Sequence, residues 1–111
     1  MTERWSKKKP GGGVAELRVP PDANRVRRLE VYCRIVVALK DDTPATHGMN
    51  VFANGALQWT RRVKTHNPGA TDTLDHRFSR ELSVGEPLQL TVTAEAVGCV
   101  PVQIEIEAEE E

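Results

Sequence analysis

Leu88-Gln89-Leu90-Thr91-Val92-Thr93-Ala94-Glu95-Ala96 and Val102-Gln103-Ile104-Glu105-Ile106-Glu107 decide the fold. Aliphatic and polar residues alternate through both segments. A period of two puts one row of side chains on a core and the other in water, so each segment is a half-buried β-strand. Because Val97-Gly98-Cys99-Val100-Pro101 is a short connection, the two strands are predicted to form an antiparallel hairpin with the aliphatic row inward.

Upstream, the same signature recurs. Gly85-Glu86-Pro87 is a turn, preceded by Leu74, His76, Phe78, Leu82 and Val84 alternating with Asp75, Arg77, Ser79 and Glu81, in one strand or two short ones. Asn54-Gly55 between Met49–Ala53 and Ala56–Val63 is the strongest short hairpin signal, because a type I′ turn needs positive φ at both central residues. A two-residue turn there sets Ala53 opposite Ala56, Phe52 opposite Leu57 and Asn50 opposite Trp59. Phe52, Leu57, Trp59 and Val63 then share the core side. The longest strand is Val26 to Leu39, with Leu29, Val31, Cys33, Ile35, Val37 and Leu39 on one face and Glu30, Tyr32, Arg34, Val36 and Ala38 on the other. Val14 to Val19 is the first strand, stopped by Pro20-Pro21. Strands at roughly ten-residue spacing, with no helical-length period of 3.6, predict an all-β chain. The expected architecture is an antiparallel β-sandwich of about seven strands, immunoglobulin-like or of related topology. Its expected core is Leu29, Val31, Cys33, Ile35, Val37, Phe52, Leu57, Trp59, Phe78, Leu82, Leu88, Leu90, Val92, Ile104 and Ile106.

The 111 residues suit one domain with a single core. Charge is distributed unevenly about a formal total of −1. Arg4, Lys7, Lys8 and Lys9 against Glu3 make residues 1–13 basic, and Glu105, Glu107, Glu109, Glu110 and Glu111 make the other end acidic. With Gly11-Gly12-Gly13 and little to bury, residues 1–13 are expected to be a flexible basic tail, residues 14–108 the sandwich, and residues 109–111 an acidic tail. No apolar run approaches the roughly 18 residues of a membrane span, and residues 1–13 lack the apolar core of a secretory signal. A cytoplasmic location is the expectation. Cys33 and Cys99 are therefore expected as free thiols, although their spacing resembles that of an immunoglobulin inter-sheet bridge.

The residues with chemical potential are scattered. His47 and His66 fall in loops and His76 on a strand, without the spacing of a metal site. Asp41, Asp42, Asp72 and Asp75 lie in or beside loops, where turn chemistry accounts for aspartate as readily as calcium does. Ser79 and Ser83 lack a nucleophile elbow and Ser6 sits in the basic segment. Cys33 is on the buried row, whereas the loop-borne Cys99 is the one thiol expected to be accessible, with a histidine as its conceivable partner. Neither catalysis, a metal nor a cofactor is expected. Arg61, Arg62 and Lys64 raise nucleic-acid binding, but alternation sends Arg61 to one face and Arg62 and Lys64 to the other, which argues against a basic patch.

What remains is a surface. The second half of the long strand is apolar on both faces, so one of them is covered by something else. The chain is accordingly expected to be a non-enzymatic interaction module that binds a protein partner or self-associates through the sheet face bearing Tyr32, Val36 and Ala38, with Trp5 as an auxiliary anchor. The alternative is a loop-end site for a glycan or a metal, built from Asp41, Asp42, His47, His66 and Asp72.

Overall fold

In a computed structural model, residues 3–39, 44–65 and 71–111 are described. Among these residues eight strands run β1 (Arg4–Pro10), β2 (Gly13–Val19), β3 (Arg27–Leu39), β4 (Thr46–Ala53), β5 (Ala56–Lys64), β6 (Thr71–Leu82), β7 (Leu88–Val97) and β8 (Cys99–Glu110). They form two antiparallel four-stranded sheets: sheet A in the order β1-β8-β3-β6 and sheet B in the order β2-β7-β4-β5. The sandwich is as expected, with eight strands instead of seven. Its strand order is that of a jelly roll and not that of an immunoglobulin domain, whose sheets combine different neighbours.

The terminal hairpin is corrected. β7 pairs with β2 and β4, while β8 pairs with β1 and β3, so the two strands belong to opposite sheets. Their aliphatic rows meet across the core instead of lying side by side. The crossing is made at Gly98, where φ is +76° and a Cβ would stand 2.7 Å from the Pro44 carbonyl oxygen, so no other residue fits without strain.

Both tails are corrected as well. Residues 4–10 form edge strand β1, which pairs with β8 from Arg4 opposite Glu109 to Pro10 opposite Gln103. Lys8 falls opposite Glu105 in this register, so the basic and acidic ends of the chain are cross-strand neighbours. Trp5, opposite Ala108, packs half-buried against the main core. The triple glycine is a corner between sheets. Gly11 and Gly13 have φ of +78° and +90°, and a Cβ on Gly12 would lie 2.5 Å from Pro101 Cβ. At the other end Glu110 is 5% exposed and accepts a hydrogen bond from Arg25, while the Glu111 amide donates to the Arg28 carbonyl. The Arg25 guanidinium holds the Glu110 carboxyl below its usual pKa, with Arg27 adding to the effect and burial opposing it.

Leu29, Val31, Cys33, Ile35, Val37, Leu82, Leu88, Leu90, Val92, Ile104 and Ile106 are buried as the alternation predicts. Phe52 and Leu57 are not in the core. The Asn54-Gly55 turn has φ of +49° and +82° and sets Phe52 opposite Leu57, but a β-bulge follows that places Val51, and not Asn50, opposite Trp59. The extra residue, Gln58, shifts the pleat of β5 against β4. Met49, Val51 and Ala53 fill the inner row, Trp59 and Val63 pack on it, and Leu57 is 54% exposed.

Three of the four edge strands point a cation toward the space between the sheets. Lys7 and Lys9 of β1 lie opposite the buried Ile106 and Ile104, Arg61 of β5 opposite Met49, and Arg80 of β6 opposite Leu29. An inward charge at an edge opposes the addition of a further strand, since that strand would bury it.

Candidate interaction surface

The outer face of sheet A is built from cross-strand rungs. Among the described residues four of them are charged: Arg28 and Glu81; Arg4, Glu109, Glu30 and Ser79; Ser6, Glu107, Tyr32 and Arg77; and Lys8, Glu105, Arg34 and Asp75. Glu105 sits between two cations, 2.8 Å from Arg34 Nη2 and 3.9 Å from Lys8 Nζ. Arg4 reaches Glu107 at 3.6 Å and Arg77 reaches Glu30 at 3.8 Å. The Arg4–Glu107 and Arg77–Glu30 pairs, solvent-exposed on their arginine side, contribute about 0 to 1 kcal/mol each, whereas Glu105 is buried, and the larger effect of the ladder is on what can dock there. Tyr32 belongs to this ladder. Its hydroxyl donates to Asp75 Oδ2 at 3.2 Å, and the Arg77 guanidinium lies 4.9 Å above its ring, a cation–π contact. Burial, followed by the neighbouring Asp75 carboxylate, raises its phenol pKa.

The remaining rungs carry no charge. Pro10, Gln103, Val36 and Thr73 form one, and Val100, Ala38 and Thr71 the other. Val36 and Ala38 are half-buried, and Val100 and the bulge residue Val102 are each 42% exposed. The bulge falls between the Val36–Gln103 and Val37–Pro101 pairs, so two short apolar runs meet at one corner of the sheet. Of the residues singled out in the sequence, Val36 and Ala38 lie at this corner and Tyr32 in the charged ladder beside it. Trp5 is on the opposite side of the sheet. Val100 and Val102 were not singled out, because the hairpin reading put Val100 in a connection and the bulge breaks the alternation around Val102.

The other candidates fall elsewhere. Cys99 is buried and not accessible: its thiol donates to the Thr46 carbonyl at 3.4 Å and lies 3.8 Å from Thr65 Oγ1, which is 2.7 Å from His47 Nδ1. His47 is only 1% exposed, on the inner row of β4 and not in a loop, so this closed polar cluster presents no nucleophile to solvent. Of the loop-end set, Asp41, Asp42 and His66 lie outside the described residues, and Asp72 is half-buried on β6. Among the described residues no group of three or more His, Cys, Asp or Glu gathers as a metal site. Ser79 donates to Glu30 Oε2 at 3.0 Å within the charge ladder. A cleft of about 430 Å³ opens between Pro20-Pro21 and Pro87, floored by Val19 and Leu88. Of its polar side chains, Asn54 is held by the Pro87 carbonyl and the Gln89 amide, which leaves Arg18 and Gln89, too few converging groups to define a ligand.

No protein-family model matches the chain, and no curated protein matches it in sequence. Several solved structures are similar in backbone. Dimeric latent PorU from Porphyromonas gingivalis shares 13% identity at a TM-score of 0.48, covering 99% of this chain, which spans 13% of PorU. A family 35 carbohydrate binding module from Clostridium thermocellum shares 10% identity at a TM-score of 0.46, covering 96% of this chain and 97% of the module. The EclA C-terminal domain, a sugar-binding protein, shares 14% at 0.47, with 97% and 78% covered.

Proposed function

We propose that the chain is a non-enzymatic binding module that docks a protein partner at the uncharged corner of sheet A. The observation that carries this reading is the juxtaposition of Val36, Ala38, Val100 and Val102 at the end of a face whose other rungs are charged. An apolar centre with a polar surround is the anatomy of a protein interface, in which the centre supplies affinity and the rim supplies orientation. The matching partner presents an apolar cluster beside groups that meet the Lys8, Glu105 and Arg34 ladder.

Position-specific photo-crosslinking tests it. A crosslinking residue at Val102 should give one discrete adduct in native extract, and the same residue at Leu57 on the opposite sheet should not. Val36→Glu should abolish the adduct with the far-UV dichroism unchanged, because its side chain points away from the core. Equal labelling from both positions, or a Val36→Glu chain that unfolds, overturns the reading.

A further inference from the structure

The four sheet edges are not equivalent. β1, β5 and β6 each carry an inward cation, whereas the inner row of β2 is Ala15, Leu17 and Val19, all buried and apolar. Its outer row carries Glu16 and Arg18, both exposed and neither paired among the described residues. Among the described residues β2 is thus the one edge whose side chains would continue the sandwich without burying a charge.

We propose that β2 pairs antiparallel with β2 of a second copy about a two-fold axis through Leu17, joining the two B sheets into one continuous sheet. A strand that pairs with itself sets residues equidistant from the axis opposite one another. With the axis at Leu17, Glu16 faces Arg18 of the second copy and Arg18 faces its Glu16, while Ala15 faces Val19 on the core side. Shifting the axis to Glu16 or to Arg18 sets like charges together. The uncharged inner row selects the edge, and the opposite signs on either side of Leu17 select the register. The ladder also has defined ends. Pro20 has no amide to donate, and the Val14 carbonyl that would face it already accepts from Lys9 Nζ at 2.7 Å. Lys7 and Lys9 keep the adjoining β1 edges apart, so pairing is confined to sheet B. A self-paired β5 with its axis at Arg61, Arg62 or Val63 would oppose cations of the two copies, as would a self-paired β1 with its axis at Lys7, Lys8 or Lys9.

Charge reversal tests this. Sedimentation equilibrium of the full chain should show a monomer–dimer equilibrium, and Glu16→Arg or Arg18→Glu alone should raise its dissociation constant by about tenfold or more, since two attractive pairs become two repulsive ones. The double variant Glu16→Arg/Arg18→Glu should recover the dimer. Val36→Glu should leave it unchanged, so this contact and the partner corner fail separately. A chain that stays monomeric into the millimolar range, a dimer indifferent to the single reversals, or a double variant that stays monomeric overturns the proposal.

Discussion

Trp59 lies flat against His76, with ring centroids 4.4 Å apart and planes inclined by 6°. The two residues belong to β5 and β6, edge strands of opposite sheets, and Phe78 continues the stack at 5.8 Å from His76. The rings close the β5–β6 flank of the sandwich.

This stack makes stability depend on pH. Burial holds the His76 imidazole below its usual pKa, and the Asp75 carboxylate only partly offsets that. The unfolded chain therefore takes up the proton first as pH falls. The contribution is complete above the ordinary histidine pKa of about 6.5 and is lost as pH drops through it. His76→Phe keeps the stacking and should flatten the fall in Tm across this window; an unchanged slope would assign it to other groups.

Strand β1 should be required for stability. Trp5→Ala removes a half-buried ring and should cost about 2 kcal/mol in urea unfolding. Deleting residues 1–10 uncovers the whole edge of β8 and should lower Tm further and promote aggregation. A deletion that leaves Tm unchanged would restore the tail reading.

The β4–β5 bulge reassigns the buried face, and paired truncations read this out. Met49→Ala should cost about 2 to 5 kcal/mol, because Met49 is fully buried. Leu57→Ala should fall within about 0.5 kcal/mol. The reverse ranking would show that the strands pair without the bulge.

The cysteines should stay reduced. Cys99 lies opposite Leu39, six residues along β3 from Cys33, a separation of about 20 Å that no disulfide spans. Burial pushes the Cys33 thiol pKa up to about 12. Thiol titration should count two groups in denaturant and show slow labelling of Cys33 in the folded protein.

Local pattern determined the strands of residues 14–107, the Asn54-Gly55 turn and most of the core, because a period of two and a positive φ are properties of neighbours in the chain. The affinity of the two ends was also written there, as a basic segment at one terminus and an acidic one at the other, but composition alone made them look like tails. Only the tertiary structure decided which strands share a sheet. Alternation says that a strand has one buried face and is silent on whether its aliphatic row meets the next strand beside it or across the core, which is how β7 and β8 became opposites. The bulges at Gln58 and Val102 were invisible for a related reason: one extra residue moves every later side chain to the other face, and only the packing of both sheets selects it. The uncharged corner of sheet A and the unguarded edge of β2 exist only once neighbours are assigned, since a site shared between strands is set by register.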